Sequence, residues 1–275
     1  MEDPVKELER KSNLARQKII KVTTEVEGGH LAGSLSCIDI LVALYFRVLK
    51  HKSNMPDWDK RDRFILSKGH AAPAFYTVLS MSGYFPEQEL FSLRKINSRL
   101  QGHPDCKKIP GIEISTGSLG QGLSAAVGMA LGYKYDGKKN LQIFCLIGDG
   151  ECDEGQIWES AMFASNYGLK NITVIIDRNK YQIDGRTADV MKLEPLDSKW
   201  KSFGWRTMEI DGHNMKNIIG ALEKSRGKRM VIIANTIKGR GVSFLENNNK
   251  YHSKPCSRID CGRAIDELCN KLESI

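Results

Sequence analysis

The sequence predicts an α/β fold in which a parallel β-sheet is covered by helices on both faces. Three short apolar runs at residues 141–147, 172–176 and 230–234 are rich in β-branched side chains and have the continuous apolar character of buried strands. Helical patterns lie between them, at 157–167 and 215–224. Because strand and helix alternate along the chain, a parallel sheet is the expected architecture.

Helices are also predicted outside this core. Residues 5–26 place apolar positions among many charges, which is typical of a surface helix. Residues 36–49 carry one wide apolar face, and a short helix is expected at 261–272.

Length and composition favour a single domain over residues 1–275. No internal repeat, low-complexity tract or linker divides the chain, and hydrophobic residues at 41% with charged residues at 27% exclude disordered and fibrous classes. We take 172–176 as the longest apolar run, far short of the roughly 18–20 residues of a membrane span. The start is acidic and no apolar segment of signal-peptide type follows it, so we expect a cytoplasmic protein without a membrane segment.

The net charge and the cysteine spacing indicate which kinds of partner and site to expect. The formal net charge of +8 arises from scattered lysines and arginines, and the densest cluster, at 224–229, contains no aromatic residue and is interpreted as a solvated helix end. We therefore expect no nucleic-acid partner. The excess positive charge is instead expected to produce an electrostatic field that attracts anionic small molecules. Seven cysteines, with Cys256 and Cys261 as the closest pair, do not match zinc or dithiol spacings, so free and mostly buried thiols are expected.

The most informative motif is Gly148-Asp149-Gly150, which directly follows the first apolar run and precedes a helix. A strand that enters a helix through glycines is where an α/β sheet binds phosphates. A carboxylate beside phosphates indicates a bridging Mg²⁺, which takes about six oxygen ligands. Asn179 follows the next run and would supply a second oxygen donor.

Several segments together resemble a known family. Gly148-Asp149-Gly150 with Asp177-Arg178-Asn179 resembles the thiamine diphosphate motif, with Arg178 in place of the first asparagine of its usual pair. Over essentially the whole chain, five further segments resemble transketolase in the family's order: Gly29-His30, Ser67-Lys68-Gly69-His70, Gly102-His103-Pro104 and the stretches 115–122 and 179–185. The resemblance implies the thiamine-diphosphate-binding fold of the diphosphate-binding (PP) domain.

The resemblance implies a cofactor site for thiamine diphosphate and Mg²⁺, with Ca²⁺ or Mn²⁺ as possible substitutes. Asp149, Asn179 and the main-chain carbonyl of Tyr181 would be the metal ligands. Ser118 stands where many transketolases have proline. The residues implied to contact the cofactor are His70, Gly117, Ser118, Leu119, Gly148, Gly150, Glu159, Asn179, Ile183 and His252.

Histidines and glutamates complete the implied site. His30 and His103 would bind the donor's hydroxyls, and His252 would contact the diphosphate and the donor, whereas His213 is expected to be structural. Glu154 and Glu159 match glutamates at the family's subunit interface, one of which communicates with the partner's catalytic glutamate. The resemblance therefore implies coupling and assembly as their roles, and Glu154 is counted among the catalytic residues. Two explanations of Lys238 and Arg240 stay open: they attract phosphate groups, or they belong to a solvated loop.

The carboxylic acid that activates the cofactor belongs, in this family, to a second, pyrimidine-binding domain. We therefore expect the N-terminal subunit of a two-subunit transketolase, inactive alone and assembled as an α₂β₂ heterotetramer, which transfers a two-carbon ketol unit from a ketose phosphate to an aldose phosphate. The donor is left open between a pentose-phosphate sugar and a specialised ketose. The alternatives are a subunit of a deoxyxylulose-phosphate synthase-like or 2-oxoacid dehydrogenase-like enzyme, and a non-catalytic regulatory subunit.

Overall fold

A five-stranded parallel sheet forms the centre of the computed structural model, which describes residues 3–138 and 140–273. The strands follow the order β1-β2-β3-β7-β6, and a two-stranded antiparallel hairpin, β4-β5, stands beside the sheet. The strand bounds are β1 Arg63–Leu66, β2 Ile143–Gly148, β3 Ile172–Arg178, β4 Tyr181–Gln182, β5 Gly185–Arg186, β6 Arg206–Asp211 and β7 Met230–Asn235. The three predicted strands are β2, β3 and β7, the middle of the sheet.

Nine α-helices connect and cover these strands in the described part of the chain. Their bounds are α1 Pro4–Glu25, α2 Leu31–Ala43, α3 Ala72–Met81, α4 Gln121–Tyr135, α5 Gly155–Asn166, α6 Thr187–Val190, α7 Leu196–Ser202, α8 Met215–Ser225 and α9 Arg258–Glu273. The predicted helix at 36–49 begins five residues earlier, at Leu31, and its last turn is π-helical over Leu44–Val48. The first turn contains Gly33, where an added Cβ would be in van der Waals contact with the His70 ring at 3.7 Å.

Side chains alternate between the two faces of the sheet, as β-strand geometry requires. Along β2, Phe144 and Leu146 pack with α1, α2, α3 and α8, whereas Ile143, Cys145 and Ile147 pack with α4, α5 and α7. Helices therefore cover both faces, which confirms the predicted architecture. All seven cysteines are free, and four of them are buried.

One apolar segment is longer than the run on which we based the expectation of no membrane span. Leu31–Val48 is long and apolar enough to cross a membrane by length and composition alone. In the fold, 83% of this segment is buried inside the protein. The helix packs at the centre of one layer, as core helices of similar composition do.

A buried ion pair ties two of these helices to the carboxyl edge of the sheet. Asp39 on α2 accepts hydrogen bonds from the Arg16 guanidinium on α1 and from Nδ1 of His213, the latter at 2.8 Å. His213 Nε2 accepts the main-chain N–H of Ile237 at 2.8 Å. Both ring nitrogens are occupied by these contacts, which agrees with the structural role expected for His213.

Asp39→Asn is expected to destabilise the fold by about 3 kcal/mol at neutral pH, because it leaves the buried Arg16 without its counterion. Burial alone would raise the pKa of Asp39, but Arg16 and His213 outweigh it and hold that pKa well below its usual range. Asp39 therefore stabilises the fold fully above the unfolded-state pKa of about 4, and this stabilisation is lost as the pH falls below it. Urea unfolding at several pH values should show a flatter acid limb for the variant; equal acid sensitivity in both proteins would contradict this account.

Candidate functional site

The carboxyl ends of the parallel strands surround a cavity of about 450 Å³. Three long segments, at 97–118, 178–190 and 236–258, all contribute residues to its wall. Of the predicted site residues, those that line it are His30, His70, His103, Gly117, Leu119, Gly148, Asp149, Gly150, Glu154, Asn179, Tyr181, Ile183 and His252. Residues from distant parts of the sequence thus converge on one cavity.

Two predicted cofactor contacts lie outside this wall. The Ser118 side chain is exposed, although its neighbours Gly117 and Leu119 both line the cavity. Glu159 is also exposed, one turn further along α5 than Glu154. Glu154 lies at the start of that helix, where its Cβ packs close to Gly120.

Two oxygen donors emerge side by side from adjacent strands. Gly148 at the end of β2 is in register with Asp177 of β3, so Asp149 and Asn179 both lie just beyond the sheet edge. The Asp149 carboxylate accepts main-chain N–H groups from Gly150 at 2.9 Å and Lys180 at 2.6 Å. These bonds fix the carboxylate between the two loops.

Asn179 is oriented by its own contacts. Its Nδ2 donates to the Asp177 carboxylate at 3.2 Å, and its Oδ1 accepts the N–H of Tyr181 at 3.1 Å. The amide nitrogen thus faces the buried acid, and the amide oxygen lies on the side of the Tyr181 loop. Tyr181 lines the same cavity.

The buried Asp149 carboxylate forms no salt bridge within the described residues, and its hydrogen bonds come from the neutral main-chain N–H groups described above. Its side chain is almost completely buried, and burial together with the neighbouring Asp177 charge raises the pKa of Asp149 to about 7. A divalent cation at this position would remove the cost of that buried charge. The carboxylate, amide and main-chain oxygens here are the donors that Mg²⁺ prefers, so the residues present fit the metal.

A second buried acid organises the floor of the site. Asp177 pairs with the Lys68 ammonium, and it also accepts hydrogen bonds from Ser36 at 2.6 Å and from Thr236. Lys68 donates in addition to the carbonyl of Gly33 at 3.1 Å. Although burial opposes both charges, each ion offsets it for the other, so the pKa of Asp177 is lowered and that of Lys68 is raised. Sequence analysis did not identify this pair, whose members are 109 residues apart.

Glu151 is a further residue that sequence analysis missed. This buried carboxylate, two residues after Asp149, accepts the N–H groups of Gly120 at 2.8 Å and Gly148 at 3.0 Å, and the Ser67 hydroxyl. It therefore joins three loops that line the cavity. The one feature of the sequence that could have indicated Glu151 is its position directly after the Gly148-Asp149-Gly150 motif.

Four histidines form a cluster in the cavity. The His30 ring lies 5.2 Å from His70, 6.1 Å from His103 and 5.5 Å from His252 between ring centroids. Burial and the charge of His103 lower the pKa of His30 to about 4, and burial with Lys238 lowers that of His252 to about 3. The pKa values of His70 and His103 are lowered too, chiefly by burial. All four rings are therefore neutral near pH 7.

Proton NMR titration of the ring C2–H signals should show His30 and His252 unchanged between about pH 5.5 and 8, whereas an unperturbed imidazole titrates near about 6.5. The physical reason is that protonation would place a cation in a buried cluster already close to Lys68 and Lys238. His30→Gln and His252→Gln assign the two signals. A midpoint near 6.5 for either ring would contradict the neutral cluster.

Lys238 and Arg240, whose roles the sequence leaves undecided, differ in burial and in their contacts. Lys238 is buried and donates to His252 Nδ1 at 2.8 Å and to Asn249 Oδ1 at 2.6 Å, so the proton of the neutral His252 ring is on Nε2. Burial and Lys68 lower the pKa of Lys238 to about 8. Arg240 is partly exposed and pairs with Glu246 at 3.5 Å. Lys238 therefore positions His252, and Arg240 lies outside the cavity wall.

Comparisons with known proteins agree with this site. Residues 9–268 match the family model described as "Transketolase, thiamine diphosphate binding domain". The chain is 44% identical to 6-deoxy-6-sulfo-D-fructose transketolase subunit SqwG from a Clostridium species, over 95% of this chain and 96% of that one. It is 38% identical to a subunit of apulose-4-phosphate transketolase from Phocaeicola vulgatus, over 98% of this chain and 97% of that one.

A solved structure extends the similarity to three dimensions. Transketolase from Campylobacter jejuni superposes with a TM-score of 0.91 at 31% sequence identity, over 98% of this chain and 43% of that one. The chain thus spans less than half of that transketolase, but nearly the full length of the two relatives that are named as subunits. The chain belongs to the transketolase family and is its thiamine diphosphate binding domain.

Proposed function

We propose that this chain is the N-terminal subunit of a two-subunit transketolase and supplies the thiamine diphosphate and Mg²⁺ half of each active site. The observation that carries the proposal is the convergence of the Asp149 and Asn179 oxygens with four neutral imidazoles in one cavity. When bound, thiamine diphosphate supplies the means to stabilise the carbanion left by breaking a carbon–carbon bond.

In this proposal, different residues bind the metal and the diphosphate. Asp149, Asn179 and the carbonyl of Tyr181 would bind Mg²⁺, and Ca²⁺ or Mn²⁺ could use the same hard oxygen donors. Gly148 and Gly150 allow the backbone to approach the diphosphate, as glycines after a strand do in other α/β sites. The buried Lys68 and Lys238 provide positive charge behind this part of the cavity.

The neutral histidines suit a sugar substrate. A neutral imidazole has one donor and one acceptor nitrogen, so it can bind a hydroxyl in either sense and can accept a proton from it. His252, which carries its proton on Nε2, can donate from that atom because Lys238 occupies Nδ1. His30 lines the cavity, and its Nδ1 is buried without a hydrogen-bond partner within the described residues.

The sugar is proposed to be a ketose with an anionic end. The two relatives are named for 6-deoxy-6-sulfo-D-fructose and for apulose-4-phosphate, which carry a sulfonate and a phosphate, respectively. We therefore propose transfer of a two-carbon ketol unit from a phosphorylated or sulfonated ketose to an aldose phosphate. Pentose-phosphate sugars belong to the same chemical class and are included among the donors to test.

The proposal requires a partner that carries the pyrimidine-binding domain. Relatives of this length are named as single subunits, and Glu154 is exposed at the cavity wall, which supports the proposal that it contacts another chain. We propose an α₂β₂ assembly, formed in the cytoplasm, where seven free thiols would persist.

The test is to assay ketol transfer by the purified chain, with Mg²⁺ and thiamine diphosphate, in the presence and absence of a candidate pyrimidine-domain subunit. We expect turnover only with both chains, because in this proposal the metal site and the activating acid belong to different chains. Robust turnover by this chain alone would refute the division of labour. Pyruvate decarboxylation by the assembly would favour the deoxyxylulose-phosphate synthase-like or 2-oxoacid dehydrogenase-like alternative, and an assembly without cofactor binding would favour a regulatory subunit.

A further inference from the structure

A second cavity lies at the opposite edge of the sheet, far from the strand ends that carry the cofactor site. Its volume is about 290 Å³, and it is formed where β3, β6 and β7 begin. Six residues line it: Lys170, Gly204, Arg206, Gly227, Lys228 and Arg229. Four of the six are cations and none is acidic.

These four cations lack acidic partners. Within the described residues, no carboxylate forms a salt bridge with Lys170, Arg206, Lys228 or Arg229. The neighbouring Arg226, by contrast, pairs with the buried Asp62 at 2.7 Å. The interpretation of 224–229 as a solvated helix end is therefore incomplete, because this cluster divides between an internal ion pair and a cationic cavity wall.

Arg229 is the cation of this wall that the fold holds in place by several contacts. Its guanidinium donates to the carbonyls of Gly204 at 2.8 Å and Ala164 at 3.4 Å, and it lies 5.9 Å from the ring centroid of the buried Trp205. Its Nε is buried and has no hydrogen-bond partner in the described structure. Neutral carbonyls thus hold this cation without neutralising it.

Two glycine turns set the shape of the wall. Gly204 has a φ of 80° and Gly227 has a φ of 70°, in the left-handed region that favours glycine. A Cβ on Gly204 would lie 2.6 Å from the Ser165 hydroxyl, so this turn is also sterically restricted. The N–H of Gly227 donates to the buried Gln142 at 3.1 Å. The backbone that carries Arg206 and Lys228 is therefore fixed.

We propose that this cavity binds a small anion bearing phosphate groups, at a site separate from the cofactor cavity. Guanidinium and ammonium groups that lack carboxylate partners favour phosphate oxygens, and arginine in particular matches their geometry. The volume of about 290 Å³ is just below the range for small-molecule sites, about 300–1,000 Å³, and suits a small anion. A nucleic acid would need an extended basic surface instead of a compact concave one.

The test is calorimetric titration of the purified chain with inorganic pyrophosphate, without Mg²⁺ and at low ionic strength. The Lys170→Gln/Arg206→Gln double variant, which changes two exposed side chains, is expected to bind about 10-fold more weakly or worse, because it removes two of the four cations in the cavity wall. Lys6→Gln, an exposed change on α1, is the matched control and should bind as the unmodified chain does.

Lys238→Gln separates the two cavities. Retained pyrophosphate affinity in this variant, together with its loss in the double variant, supports the second site. Loss in Lys238→Gln with full affinity in the double variant would mean that the anion binds only in the cofactor cavity, and it would overturn the proposal. Absence of binding to the unmodified chain would overturn it as well. Neither result bears on ketol transfer, which is assayed separately.

Discussion

Asp149→Ala is expected to weaken metal-dependent thiamine diphosphate binding by about 100-fold or more. Replacing a residue that merely supports a metal ligand typically costs about 10–100-fold in affinity, and Asp149 is the proposed ligand itself. Its carboxylate is also the only buried acid at the cavity wall, among the described residues, that accepts main-chain bonds from both the β2 and the β3 loop. The measurement is calorimetric titration of the assembled enzyme with cofactor at several Mg²⁺ concentrations.

Asp153→Asn is the matched control for this experiment. Asp153 lines the same cavity four residues later, but it is exposed and is not placed among the metal ligands. Its replacement should leave the Mg²⁺ dependence of binding unchanged. Unchanged cofactor affinity in Asp149→Ala, or an equal loss in both variants, would remove Asp149 from the ligand set.

Lys68→Met is expected to lower the free energy of unfolding by about 3–5 kcal/mol, because it leaves the fully buried Asp177 charge without a counterion. For a domain of this size, that loss corresponds to a decrease in melting temperature on the order of 10 °C. Methionine keeps the length and the apolar packing of the lysine stem. Thermal and urea unfolding of the purified chain measure the effect without any assay of activity.

The Lys68→Met/Asp177→Asn double variant tests the cause of that loss. If the unpaired charge is responsible, removing the acid as well should recover part of the stability, so the two effects will not be additive. Strictly additive losses would show that the two residues act independently. Lys11→Met, which breaks a surface pair with Glu7 at 2.9 Å, should change the stability by less than about 1 kcal/mol.

The central strands were predictable, whereas the edges of the sheet were not. β2, β3 and β7 are buried on both faces, and their sequences are therefore continuous apolar runs. β1 has only four residues, and β6 carries three charged residues because it is a half-exposed edge strand. β1 is too short to give a clear apolar pattern although three of its four residues are buried, and in β6 solvated side chains interrupt the pattern.

The site shows a similar limit. Asp149 could be placed because it follows the end of a predicted strand, and His70 because the segment 67–70 resembles a segment of the family. The partners of Asp177 could not, because they come from segments distant in sequence and meet only in the folded chain. The exposure of Ser118 and Glu159 is also a property of tertiary packing, which motif position does not report.

The hydrogen bonds that converge on Asp177 have a thermodynamic consequence for cofactor loading. Four donors from four separate segments, Ser36, Lys68, Asn179 and Thr236, meet at one carboxylate through contacts within this chain alone. The conformational entropy of arranging these segments is therefore lost when the chain folds, and little of it remains to be lost on binding. We therefore expect the cofactor affinity to depend on how stably these four segments are held around Asp177, even though the Asp177 side chain is itself fully buried.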